Sequence, residues 1–548
     1  MVTGLDTHEV FNQTPPLAGY DLFTSDAVLA EAVDREGARW ARPELEGLGT
    51  LAGAAATQEL GRLANEHRPE LRTFDRTGHR IDIVEYHPAY HELMAMAVSH
   101  GLHAGPWSDP RPGAHVARAA KVIVWYQVDA GHICPVSMTY AVVPALRHQP
   151  EVAALWEPMI GSTTYDPSDR PASQKLGVTC GMALTEKQGG SDVRANTTTA
   201  QAVPGDPRRT YRLTGHKWFC SAPMSDAFLV LAQAPGGISC FLTPRWNADG
   251  SRNPIRIQRL KDKLGDRSNA SSEIELWGAQ GQLIGEEGRG VRTIIEMVNH
   301  TRLDCILGSA SIMRQGVAQA TWHASHRSAF GRLLAEQPLM ENVLADLALE
   351  SEAATASALR LARAYDAPEG DVRERLLQRI LTPVVKYWTC KRAPQHAAEA
   401  LECLGGNGFV EESPLPRLFR QSPVNGVWEG SGNVICLDVL RALGREPDAI
   451  EAYWDEIGDA GSADARLARA ADDLHVDLAD PGTLEVRARS VVERMALVFQ
   501  ASLLVRHAPT SVADAFCGSR LGPNGSGTFG TLPAETDLAG ILARHTPV

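Results

Sequence analysis

Ala400-Leu-Glu-Cys-Leu-Gly-Gly-Asn-Gly-Phe-Val-Glu-Glu-Ser413, then Pro416-Arg-Leu-Phe-Arg420, then Val427-Trp-Glu-Gly-Ser-Gly-Asn-Val-Ile-Cys-Leu-Asp-Val-Leu440: the reading of the fold turns on these three pieces. A helix that ends on Gly405, Gly406 and Gly408 leaves NH groups that can approach a phosphate closely. No strand pattern precedes those glycines, which argues against a dinucleotide fingerprint of the Rossmann type. Arg417 and Arg420, three apart, can share a helical face. Glu429 stands between Trp428 and Gly430. A carboxyl beside an aromatic ring and apolar groups has a raised pKa and suits a general base near neutral pH. Its other reading is structural, a glutamate bonded to nearby NH groups or to an arginine such as Arg302.

Outward from this stretch the texture of the chain changes twice. Ser25 to Gly61, Ala89 to Ser99, Ala114 to His132 and Cys134 to Leu146 carry apolar residues at three and four, the spacing of helices. From Gly177 to Leu283 the segments are short and β-rich, broken by Gly, Pro, Asn and Asp, as in a small barrel or sandwich. Helical spacing returns after Gly290. Segregated helices, strands and helices predict an α+β class, mainly α, with separate α and β domains. Further helices are expected over Asp448 to Ile457 and Leu484 to His507, with a mobile glycine-rich loop between Gly518 and Gly530.

Composition narrows the function classes. A net charge of −13 disfavours bulk attraction to nucleic acid or anionic lipid. The absence of an 18-residue apolar run and of a basic, then apolar, start predicts a cytoplasmic protein without membrane contact. Nine cysteines never form a Cys-x-x-Cys pair, so neither a zinc knuckle nor a disulfide framework is expected. His87 and His91 are four apart but lack a third ligand, and no metal site is expected.

Four further segments carry chemistry. Met182-Ala-Leu-Thr-Glu-Lys-Gln-Gly-Gly-Ser-Asp192 offers the hydroxyls of Thr185 and Ser191 and backbone NH groups at Gly189 and Gly190, a set suited to a flat polar heterocycle and its phosphate. Gly215-His-Lys-Trp-Phe-Cys-Ser-Ala222 offers aromatic rings and a hydroxyl. Thr301-Arg-Leu303 lies in an apolar helix, where Arg302 needs a partner or an anion. His326-Arg-Ser-Ala-Phe-Gly-Arg-Leu-Leu334 carries Arg327, suited to a diphosphate.

Taken in this order, the motifs resemble the FAD-dependent acyl-CoA dehydrogenases from about Met182 to Leu443. The resemblance implies a helical domain over 1–178, a β-barrel over 179–285, a four-helix bundle over 286–445 and an extra helical domain over 446–548. It implies FAD between barrel and bundle, with Met182, Leu184, Thr185, Gly190 and Ser191 along the flavin and pyrophosphate. Trp218 and Phe219 would back the ring and Ser221 reach its N5 edge. Arg327 and Phe330 would meet the cofactor's diphosphate and adenine across a subunit boundary, with Gly405, Gly406 and Gly408 against the ADP half. Trp428, Gly430, Ser431 and Asn433 would complete the site around Glu429, the catalytic base, and Arg302 would line the acyl-thioester pocket. Some members place their base where this chain has Thr301.

The wording of the motifs and the extra C-terminal region resemble the alkylation-response, or AidB, branch. That implies a homotetramer, weak dehydrogenase activity on acyl-CoA or a related thioester, and as an alternative function double-stranded DNA binding through the C-terminal domain. From Glu446 onward sixteen acids face eight arginines and no lysine, a poor balance for binding phosphates. Arg487 and Arg494 can still share one helical face.

Overall fold

The computed structural model describes residues 7–206, 209–368, 370–458, 460–522 and 527–547. Short helices Ala27–Arg35, Arg42–Gly53, Ala55–Glu66 and Pro88–Ser99 lead to two buried helices, α1 (Ala114–Tyr126) and α2 (Ile133–Leu146). Among them lies a hairpin absent from the helical reading of this region, β1 (Glu70–Phe74) and β2 (Arg80–Glu85). Its signal is the Asp75-Arg-Thr-Gly78 turn followed by Ile81 and Ile83 two apart, too short to outweigh the helical spacing on both sides.

The middle of the chain closes into a barrel. Its strands are β3 (Cys180–Ala183), β4 (Thr199–Ala202), β5 (Thr210–Ser221), β6 (Ala227–Ala234), β7 (Gly237–Pro244), β8 (Ile255–Leu260) and β9 (Ser271–Ile284). β4 pairs with β5, β5 with β9, β9 with β7, β7 with β6, and β6 returns to β4 through Thr199 and Gln233. Closure leaves no bare edge in that ring, while β3 and β8 hang on β6 and β9. Leu213, Phe228, Phe241 and Ile274 fill the inside.

Three long helices follow, α3 (Gly290–His326), α4 (Pro338–Tyr365) and α5 (Val372–Cys403), then α6 (Gly432–Arg445), α7 (Asp448–Ile457) and α8 (Ala488–His507). One hydrophobic core joins the N-terminal helices (Leu45, Trp125), the bundle (Ile312, Leu381) and the C-terminal helices (Tyr453, Phe499). The C-terminal region thus shares its core with the bundle instead of forming its own. A second core, between α2 and the barrel, contains Met138, Cys180 and Leu229, and Met182, Leu184 and Trp428 pack on it. Residues 523–526 of the expected glycine-rich loop lie outside the described residues. At its start Gly518 belongs to a helix, Thr510–Arg520, and at its end Phe529 is buried beneath Arg392 and His396.

Candidate active site

Glu429 sits just before α6 with φ +59°, a left-handed backbone that a residue with a Cβ rarely adopts. Buried cations hold it there. Lys386 Nζ donates to the carbonyls of Trp428 (3.0 Å) and Gly430 (2.6 Å), and Arg302 Nε donates to the carbonyl of Glu429 itself (3.0 Å). Three successive carbonyls are thereby gripped from α5 and α3. The strain of the turn, of order 1–3 kcal/mol, is offset by charge-assisted hydrogen bonds out of water.

The carboxyl is half-buried and near the Thr301 hydroxyl, which itself donates to the Met297 and Val298 carbonyls. Burial pushes its pKa up to about 7, against the pull of Thr301, Arg302 and Lys386. Arg302 is 5% exposed and already partnered, its Nη1 donating to Asp438 Oδ2 at 2.7 Å. Its guanidinium is thus turned to the loop that carries Glu429 and to α6. Lys386 escaped the sequence reading, yet its signal resembles that of Arg302: one cation in an apolar helical run, Ile380 to Trp388.

Across from this loop, the β5 strand presents its aromatics through a bulge. Lys217 faces Ile274 and Cys220 faces Ser272, so two residues on β5 oppose one on β9. Lys217 and Cys220 point inward while both Trp218 and Phe219 stay outside, Phe219 half-exposed and Trp218 under the Lys261 ammonium at 3.2 Å. Ser221 Oγ lies 3.4 Å from Ser271 Oγ and reaches the Cys134 thiol of α2. That thiol is pushed up to about 12, chiefly by burial.

The turn after β3 is fastened by a buried ion pair, Lys217 Nζ to Glu186 Oε1 at 2.7 Å. Burial opposes the Glu186 charge, but Lys217, Thr198 and the Thr197 NH outweigh it and hold the carboxyl at about 2. This anchoring leaves the hydroxyls of Thr185 and Ser191 without a hydrogen-bond partner among the described residues, and Ser191 is exposed. A Cβ on Gly190 would stand 2.8 Å from Thr185 Oγ1, so only glycine lets the turn fold this tightly. A row of unused hydroxyls, two outward aromatics and an apolar wall of Met182, Leu184 and Trp428 fits a flat ring with polar edges.

A second carboxyl lies close by. Asp266, at φ +50°, is buried with neither oxygen bonded, and burial pushes it up to about 7. Ser268 Oγ of the same turn donates to Asp129 Oδ2 at 2.6 Å.

Not every expected site residue falls here. Arg327 and Phe330 follow the far end of α3, 26 residues past Thr301, or about 39 Å along a helix. Gly405, Gly406 and Gly408 follow the far end of α5, some 28 Å beyond Lys386 by the same rise. Arg327 is held by the Asn12 carbonyl, and Phe330 stands fully exposed at a hairpin tip. Asn433, four residues past Glu429, is taken by Arg489 of α8, whose Nε donates to its Oδ1 at 2.8 Å. Ser431 begins α6 without a side-chain cap bond.

Comparison with known proteins gives this geometry its lineage. Residues 12–167 match the adaptive response protein AidB N-terminal domain, 181–278 the acyl-CoA dehydrogenase middle domain and 288–444 the acyl-CoA dehydrogenase C-terminal domain. The putative acyl-CoA dehydrogenase AidB of Escherichia coli K12 is 45% identical over 521 residues, 95% of each chain. Acyl-CoA dehydrogenase family member 11 of Caenorhabditis elegans is 29% identical over 83% of this chain and 78% of its own. The crystal structure of C. elegans ACDH-11 in complex with C11-CoA covers 94% of this chain and 92% of that one, with a TM-score of 0.84 at 26% identity. The chain belongs to the acyl-CoA dehydrogenase family, in its AidB branch.

Proposed function

We propose that this flavoprotein removes the α and β hydrogens of an acyl thioester, with Glu429 as the base. FAD, held by Thr185, Ser191, Ser221 and the Trp218–Phe219 face, supplies the acceptor for the β-hydride when bound. Glu429 takes the α-proton on its carboxylate, and its raised pKa makes that transfer favourable near neutral pH. Arg302 and Lys386 fix the loop so that the carboxyl enters from the bundle side. The wall of Met182, Leu184 and Trp428 keeps water out. A carboxyl pushed up to about 7, on a backbone held in an unfavourable conformation by buried cations, is the observation that carries this reading. The C11-CoA bound to the worm relative supports an acyl-CoA as the thioester.

The cofactor in this reading lies between subunits. Arg327, Phe330 and the glycines at 405, 406 and 408 are too far from Glu429 to meet the same flavin within one chain. Exposed Phe330, Leu339, Phe409 and Val427 on the bundle supply apolar surface for a homotetramer. The alternative, duplex DNA binding by the C-terminal region, gains nothing from the placement of its arginines. Arg487 and Arg494 both turn to Asp477, Arg466 to Asp464 and Asp514, and Arg520 to Asp346 and Glu350.

The test is anaerobic addition of acyl-CoA thioesters to the purified yellow protein. Bleaching of the flavin absorbance supports the reading, and an unchanged spectrum with thioesters across chain lengths removes it. Lys386→Met is expected to lower the bleaching rate roughly ten-fold or more by letting the loop drift, with little change in half-saturation. Because Lys386 draws the Glu429 pKa down, its loss also moves the midpoint of the pH–rate curve upward. A rate and midpoint equal to the parent protein's would show the clamp to be idle.

A further inference from the structure

A cavity of about 190 Å³ lies between the β1–β2 hairpin and the barrel, and Glu429 is not part of its lining. Cys220 faces it, while its neighbour Ser221 turns toward Cys134. Four guanidinium groups line it: Arg80 on β2, Arg245 and Arg252 in the β7–β8 connection, and Arg256 on β8. In a chain of net charge −13 such a gathering calls for a physical reason.

Internal pairing does not supply one. Arg80 Nε donates to Asp82 Oδ2 at 2.8 Å and its Nη2 to the Ile257 carbonyl at 2.7 Å. Arg245 and Arg252 share a single carboxylate, Asp169, and Arg245 also donates to the Pro223 carbonyl. Arg256 has no carboxylate partner among the described residues and lies over the Trp277 ring at 3.9 Å. Four cations thus face two carboxylates, and burial draws the Arg245 pKa down. One acceptor is left over as well. Asp82 Oδ1 is buried without a partner, on a residue 8% exposed and strained at φ +46°.

The missing ligand has to bring negative charge and one hydrogen-bond donor. A phosphate monoester in its protonated form brings both: anionic oxygens for the guanidinium forks and a P–OH for Asp82. Arg252 lies over Trp246 and Arg256 over Trp277, contacts made through the guanidinium planes that spare N–H edges for hydrogen bonds.

We propose that this cavity is a phosphate-ester site. Two sources share the chemistry: the phosphorylated end of a coenzyme thioester, which would tie the site to the proposed dehydrogenation, and a separate small phosphorylated metabolite. Calorimetric titration of the flavin-loaded protein with inorganic phosphate and with coenzyme A is the experiment, since neither probe needs turnover. One site per chain is expected, weakened about ten-fold or more in Arg256→Gln and unchanged in Arg212→Gln on the outer face of β5. Arg256 makes no ion pair among the described residues, so its loss leaves the fold intact, which a melting curve confirms. Displacement of phosphate by coenzyme A, with a KM that rises in Arg256→Gln for the coenzyme A thioester but not for its pantetheine counterpart, assigns the coenzyme. Phosphate binding that coenzyme A leaves undisturbed assigns the separate metabolite. Absence of binding by both probes, or equal binding by parent and Arg256→Gln, overturns the proposal and leaves the dehydrogenase reading untouched.

Discussion

Glu429→Gln leaves the flavin bound and the fold intact and slows reduction by an acyl thioester roughly 10²–10⁴-fold, the ordinary worth of a positioned base. Glutamine keeps the length and polarity of the side chain, so the Lys386 and Arg302 bonds to the neighbouring carbonyls persist. In the parent protein the reactive form is the carboxylate, and the rate climbs as pH rises through about 7. In Glu429→Gln that rise disappears, which separates loss of the base from loss of substrate binding.

The same substitution moves stability the other way. A carboxyl whose pKa rises from 4.5 to about 7 on folding favours the folded state fully below 4.5. That contribution is lost as pH climbs from 4.5 through 7, because the fold then has to hold a charge it disfavours. The span corresponds to up to about 3 kcal/mol, less whatever solvent screens. Glu429→Gln is free of this term. Its melting temperature should exceed the parent's at pH 8 and match it near pH 4.5, and a parent curve flat over that range would contradict the shifted carboxyl.

The second large effect is at Arg360 of α4. This guanidinium is 3% exposed and bridges Glu374 of α5 (2.8 and 2.9 Å) and Glu456 of α7 (2.7 and 2.8 Å). Arg360→Met takes the buried partner from two buried carboxylates and leaves them rim arginines, Arg373 and Arg506 for Glu456 and Arg373 and Arg363 for Glu374. A loss of about 3–5 kcal/mol follows from uncompensated buried charge, read as a lower urea midpoint. Acid sensitivity changes too. The Glu456 carboxyl, held at about 2 by Arg360 and Arg506 against the cost of burial, stabilises the fold above about 4.5 and ceases to as pH falls toward 2. That acid-side slope shrinks in Arg360→Met. An unchanged midpoint would mean that this bridge adds nothing to the joint between the bundle and the C-terminal helices.

Much of this was legible in the sequence because the signals are local. The barrel announced itself by short β-rich runs, and Glu429 by the ring before it and the glycine after it. Arg302 was legible as a cation that needed a partner, but the choice between a substrate and Asp438 depends on α6 folding back across α3, which no spacing encodes. Trp218 and Phe219 could not both be set outside the barrel until the bulge at Lys217 was known, since plain alternation sends one of them inward. The burial of Asp266 was hidden for the opposite reason: nothing within Lys263-Leu-Gly-Asp-Arg marks its carboxyl as buried, and only the approach of helix ends around Gly131 and Arg420 encloses it. Asp477 lies ten and seventeen residues from the arginines it neutralises, beyond any helical repeat.

Arg489 grips Asn433 from a helix that lies beyond the span matched to the acyl-CoA dehydrogenase C-terminal domain. The consequence is mechanical. The segment bearing Glu429 is tethered on one flank by interior ammonium and guanidinium groups and on the other by the appended region. Whatever lifts that region off the body therefore slackens the very turn on which the proposed chemistry depends.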